Sequence, residues 1–282
     1  MNDRSASMTA RSVAVLRAAH QLIDGEPPIL DDSVIVRLFG PNIEGVIRGD
    51  IDRYQSTLLR ALRSHVVLRS RVAEDALHDA VVRGIRQYAL LGAGFDTFAY
   101  RQPDWAKSIE IIEVDQPASQ AEKRKLLAGA GIAIPSNVRY ADVDFERETL
   151  ANGLRRCCVP FDRATFFSWL GVTMYLTREA IDAVLATVRT FASGSEIVLT
   201  FAQPLETDEQ GAGGRIFAER AAAAGEPWVS YFEPAEIEAV LLSHGFSDVR
   251  FLTRDAAMRQ YYAERRDGLL PPRRISIVSA TV

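Results

Sequence analysis

The chain has 282 residues, 33 basic against 37 acidic side chains and a formal net charge of −4, with 48% hydrophobic and 25% charged residues. That apolar content is too high for a disordered chain, and it suffices for one large α/β domain or two small ones. Interspersed charge of slightly acidic balance excludes a general attraction to nucleic acid or membrane surfaces, although 30 of the basic residues are arginine.

The segment Met1 to Ala10 is polar and has no apolar leader core, so no signal peptide is expected. Apolar runs such as Tyr88–Leu91 fall far short of the ~20 residues of a membrane span. The two cysteines, Cys157 and Cys158, are adjacent, which is neither metal-ligand nor redox spacing. They read as two reduced thiols near a helix end, and the expected location is cytoplasmic.

In chain order, Val13, Leu16, Ala19 and Leu22–Ile23 recur at helical spacing. Turn signals follow at Gly25-Glu26-Pro27-Pro28 and Gly40-Pro41-Asn42. A second helical stretch runs from Asp52 to Val82, with Leu58, Leu59, Leu62, Val66 and Val67 on one side. The pattern then changes to strands at Arg86–Leu91, Ile109–Val114, Val138–Val143, Thr165–Leu170 and Glu196–Phe201. Helices begin at Pro117 and at Thr177, where the threonine can cap. Pro234–His244 reads as a helix closed by Gly245, and Val249–Leu252 and Arg274–Val278 as late strands. Strands alternating with helices imply parallel βαβ units with helices on both faces.

Ligands of such sheets bind outside the carboxyl ends of the strands. Three consecutive strand ends carry suitable chemistry. Gly92-Ala93-Gly94 lets the backbone approach a ligand closely. Asp115, a little over twenty residues on, suits the two hydroxyls of a ribose. Asp144-Phe145 suits an adenine, the acid accepting from the amino group and the ring packing on the base. Together they point to an adenosine cofactor. A dinucleotide site wants a third glycine, and here that position is Thr97. Asp96 in the same turn would repel a pyrophosphate but not a sulfonium and an ammonium, which favours S-adenosyl-L-methionine over a nicotinamide cofactor.

The run from Leu90 to Arg101, then Glu113-Val114-Asp115-Gln116-Pro117, Lys123-Arg124-Lys125, Val143-Asp144-Phe145 and Gly171-Val172-Thr173-Met174-Tyr175-Leu176, closely resembles the leucine carboxyl methyltransferase family. That family includes protein phosphatase carboxyl methyltransferases and bacterial polyketide carboxyl O-methyltransferases. The resemblance implies a class I methyltransferase Rossmann-like fold, with a mostly parallel seven-stranded sheet and a helical N-terminal cap over roughly residues 1–82. It implies one domain over 1–282. It also implies that Arg69 clamps the methionine carboxylate, with Arg71 as the fallback. Gly92, Ala93 and Gly94 would line the methionine moiety, Asp115 with Gln116 would hold the ribose, and Asp144 with Phe145 the adenine. One position departs from the family, where an acidic residue often precedes the glycine that is Gly171 here; this chain has Leu170.

The expected reaction is methyl transfer to a carboxylate of a small molecule such as a polyketide. A carboxylate is already ionised, so no general base is needed. A protein C-terminal carboxylate is the closest variant. A hydroxyl acceptor needs a base, for which His65 and Tyr175 are the candidates. A nicotinamide-dependent oxidoreductase and a non-catalytic cofactor-binding regulator are the alternatives from other classes. The acceptor pocket is expected between the N-terminal helices and a lid-like segment near 203–232. Arg48, Arg215 and Arg274 are candidates to attract an anion. No metal, nucleic-acid or membrane partner is expected, and a monomer or homodimer is.

Overall fold

The alternation of side chains along each strand decides the layers. In β1 (Gln87–Leu91), Tyr88 and Leu90 point to one face of the sheet, Ala89 and Leu91 to the other. β4 (Thr165–Trp169) repeats this, with Phe166 on the first face and Phe167 and Trp169 on the second. A long helix, α5 (Thr57–Val82), covers the first face through Val67, Leu68, Ala73, Leu77 and Ala80. The second face is covered by α7 (Leu150–Arg156), α8 (Arg178–Val188) and α10 (Pro234–Ser243), through Leu150, Leu154, Ile181, Leu185, Ile237 and Leu241. The computed structural model describes residues 8–206 and 212–282.

The remaining strands are β2 (Glu110–Asp115), β3 (Val138–Asp142), β5 (Glu196–Thr200), β6 (Ser247–Phe251) and β7 (Ile277–Thr281). Their order is β3-β2-β1-β4-β5-β7-β6. The five strands from β3 to β5 are mutually parallel, whereas β7 runs antiparallel to both β5 and β6. Chain order reverses where β1 pairs with both β2 and β4, so the crevice above β1 is the switch point of the sheet.

Ahead of α5 lie α1 (Met8–Ile23), α2 (Ser33–Phe39), α3 (Asn42–Gly49) and α4 (Ile51–Gln55). They form a third core in which Leu16, Ala18, Ile35, Ile47 and Leu59 meet Phe95 and Leu127. Leu127 belongs to α6 (Pro117–Gly129), which follows β2. Two further helices are α9 (Ala212–Ala223) and α11 (Arg254–Ala257). Among the described residues, no helix is long and apolar enough to cross a membrane.

Four details differ from the sequence reading. The helical stretch from Asp52 is interrupted at Ser56, whose hydroxyl caps the new helix by accepting from the Leu59 amide at 3.4 Å. The last strand begins at Ile277, not Arg274. Ile277 is the first residue in register with Thr200, and Arg274 instead donates to Gln203 Oε1 at 2.6 Å and to the Pro204 carbonyl at 2.9 Å. The expected lid contains a helix, α9, within its glycine-rich part; residues 207–211 of that segment lie outside the described residues. Of α7, capped by Thr149, the sequence reading placed only the end, beside the two cysteines, and not the start. Cys157 and Cys158 are both free at its end.

Candidate active site

A cavity of about 980 Å³ opens at the carboxyl ends of β1, β2 and β4, roofed by α1, α9 and the loop at 225–229. Clefts for drug-sized ligands run from roughly 300 to 1,000 Å³, so this one lies at the large end of that range. The structure brings together in its wall all eight residues singled out for the cofactor. They are Arg69, Gly92, Ala93, Gly94, Asp115, Gln116, Asp144 and Phe145, and His65 and Tyr175 join them.

β1 ends because Gly92 turns with φ +70°, in the left-handed region that favours glycine. A side chain there would also collide with Val172, 2.3 Å from an added Cβ. The turn is pinned by the Gly92 and Ala93 amides, which donate to the Val114 carbonyl at 2.8 and 3.0 Å. Asp115, at the end of β2, accepts from the Gly94 amide at 2.5 Å and from the Gln116 amide at 2.7 Å. Burial pushes its carboxyl above the ordinary range, against the pull of those two amides. Asp115 lies in register with Asp142, which leads Asp144 into the same crevice. Asp144 accepts from the Glu146 amide at 3.1 Å, and Phe145 packs on Trp169 with ring centroids 6.5 Å apart.

Arg69 enters from α5. Its guanidinium lies against Gly171, where an added Cβ would come within 2.4 Å of Nη1. Gly171 has φ +73° and follows β4. The guanidinium makes no hydrogen bond and no ion pair with a described residue. Burial, with the charge of Arg17 nearby, pulls Arg69 down to about 10, against the attraction of Tyr175 and Asp96. His65 lies one turn earlier on α5; burial and the Arg69 charge hold its imidazole down to about 3, so it is neutral at physiological pH. Burial raises the Tyr175 phenol above its ordinary value. Tyr175 sits in a short 3-10 turn, Thr173–Tyr175, whose Met174 carbonyl accepts from the Val229 amide at 2.7 Å. The roof is tied on its other side by Glu226, which accepts from the Thr9 amide of α1 at 3.1 Å.

The other arginines considered for anion attraction lie elsewhere. Arg48 pairs with Glu44 on the exposed face of α3, Arg274 binds the segment after β5, and Arg215 donates to the Glu206 carbonyl. Arg71 pairs with Asp75 at 2.9 Å, outside the cavity. Arg53 and Arg220 are the cations that line the mouth instead.

A buried charge network behind the glycine turn was missed in the sequence. Asp32, fully buried, accepts from Arg17 Nη2 and from the Thr97 hydroxyl, each at 2.5 Å, and lies 3.3 Å from Arg101 Nε. Arg17 also donates to the Thr97 hydroxyl at 2.9 Å, and Arg101 forms a two-pronged pair with Glu74. Thr97, which stands where a dinucleotide site has its third glycine, thus ties the turn to the N-terminal helices. Its position in the turn was the available signal; its partners, 65 and 80 residues away, gave none.

A seven-stranded sheet of this order, with one antiparallel strand inserted near its edge, has the class I methyltransferase architecture. Two crystal structures share the fold. One is a methyltransferase candidate from Thermobifida fusca, with TM-score 0.60 and 18% identity, covering 99% of this chain and 96% of that one. The other is a DUF574 family protein from Streptomyces avermitilis, with TM-score 0.55 and 18% identity, covering 96% and 95%. In sequence, the chain is 29% identical over 95% of both chains to a Bacillus subtilis protein, YktD, named as a candidate S-adenosyl-L-methionine-dependent methyltransferase. The leucine carboxyl methyltransferase pattern matches residues 10–189, and the chain belongs to that family. It is an S-adenosylmethionine-dependent methyltransferase.

Proposed function

We propose that the protein is an O-methyltransferase for a small-molecule carboxylate, acting as one domain with α1–α4 as its helical cap and α5 joining that cap to the sheet. The observation that supports the acceptor class is the state of the two groups named as candidate bases for a hydroxyl acceptor. His65 is held at about 3 and Tyr175 is raised, so neither is poised to take a proton at neutral pH. An acceptor already ionised suits such a site. The cavity lining includes Val13, Leu16, Leu59, Leu62, Val66 and Phe217, apolar side chains that suit an apolar acid better than a polar protein tail.

The residues present fit the cofactor. The unpartnered Arg69 supplies a cation for the methionine carboxylate, and Gly92 and Gly171 let the backbone pass close to Val172 and to the Arg69 guanidinium, where a Cβ would collide. Asp115 and Gln116 would hold the ribose, and Asp144 and Phe145 the adenine. When bound, the cofactor supplies an activated methyl on a sulfonium. The chain's own contribution is then alignment and exclusion of water by the roof of α1, α9 and the 225–229 loop.

Two outcomes are expected. Asp115→Ala and Asp144→Ala should each weaken S-adenosylmethionine binding about tenfold in calorimetry, the size of one lost charge-assisted bond. Unchanged affinity in both variants would refute these assignments. The rate with a carboxylic acid acceptor should stay level between about pH 6 and 9, since no base need be deprotonated. A tenfold rise per pH unit across that range would instead indicate a hydroxyl acceptor.

A further inference from the structure

We propose that Asp96 receives the ammonium group of S-adenosylmethionine, as the anionic counterpart of Arg69 at the same end of the cavity. The inference rests on the cofactor reading above and adds a ligand to it. Three arginines and three carboxylates meet behind and beside the glycine turn. Arg17 is joined to Asp32, and Arg101 to Glu74. Arg69 and Asp96 remain. They attract one another, yet no hydrogen bond or ion pair joins them.

Each faces the cavity with unused bonding capacity. Asp96 Oδ1 is fixed by the Phe98 amide at 2.8 Å, which orients the carboxylate. Oδ2 accepts no hydrogen bond from a described residue. Its nearest cation is Arg17 Nη1 at 3.6 Å, and the other terminal nitrogen of Arg17 is already bound to Asp32 and Thr97. The Asp96 side chain is 19% exposed, and Asp96 lines the cavity. Leu170, beside Gly171, brings no charge to the same wall. An unclosed pair of opposite charges in one wall matches a zwitterion, with carboxylate toward Arg69 and ammonium toward Asp96. Both bonds would be charge-assisted and largely withdrawn from water.

The test is calorimetry of wild type and Asp96→Asn with three ligands. They are S-adenosylmethionine, its decarboxylated form, which keeps the ammonium, and 5′-methylthioadenosine, which lacks the amino-acid end. The asparagine keeps an oxygen for the Phe98 amide. The first two ligands should bind about tenfold more weakly to the variant, and the third within about twofold of wild type. Equal weakening of 5′-methylthioadenosine would mean that Asp96 only shapes the turn, and unchanged binding of the decarboxylated ligand would overturn the assignment. Failure of wild type to bind any of the three would instead bring down the cofactor reading, and this proposal with it.

Discussion

Replacing Arg69 with alanine is expected to weaken S-adenosylmethionine binding about a hundredfold while raising the melting temperature by a few degrees. The opposed signs follow from one fact. The guanidinium is half-buried in the cavity wall without a hydrogen bond or ion pair to a described residue in the free protein, and burial draws it down to about 10. An uncompensated cation in such a place opposes folding, so its removal relieves the fold. A ligand carboxylate supplies the missing partner in a two-pronged, charge-assisted pair, for which a net contribution of about 1.5–3 kcal/mol is expected. Losing about 2.7 kcal/mol is a hundredfold in Kd. Calorimetry and thermal denaturation of the same variant check both halves. Unchanged affinity would remove Arg69 from the cofactor site, and a lower melting temperature would contradict the reading of its charge as uncompensated.

Asp32→Ala should lower stability by about 3–5 kcal/mol, read by denaturant unfolding. It leaves Arg17 and Arg101 without their shared carboxylate in the interior, and it also removes the cap of α2, where Asp32 accepts from the Ile35 amide at 3.2 Å. The sign with pH follows from the direction of its shift. Burial alone would raise the Asp32 carboxyl, but Arg17 and Arg101, with bonds from Thr97 and Ile35, hold it below its ordinary 3.8. Its contribution is therefore complete above that value and lost as pH falls through the depressed one. The variant should lack this part of the acid sensitivity of wild type. An equal fall in both, or a loss under about 1 kcal/mol at neutral pH, would contradict the role given to the network.

The sheet was legible because each strand is a short apolar run bounded by a turn, which is local information: Tyr88, Ala89, Leu90 and Leu91, ended by Gly92, carry it unaided. The crevice was legible for the same reason, since Gly92, Asp115 and Asp144 each stand at a strand end. What was illegible depends on partners far along the chain. Nothing near Arg17 marks it as the ligand of Asp32 and Thr97, and nothing near Arg274 shows that its side chain turns back to Gln203 rather than opening a strand. α9 was hidden by Gly213 and Gly214, which lower helix propensity, although Phe217 and Ala221 turn toward the cavity. Leu170 was legible as a departure from the family, but the position of the Arg69 guanidinium against the following Gly171 was not.

The central claim is methyl transfer to a carboxylate, and the nature of the product tests it most directly. The protein should be incubated with methyl-labelled S-adenosylmethionine and a metabolite extract of the host organism, and the labelled product then treated with mild base. A methyl ester, released as labelled methanol by base, is the expected result. A label that stays in the product as a base-stable methyl ether would contradict the claim.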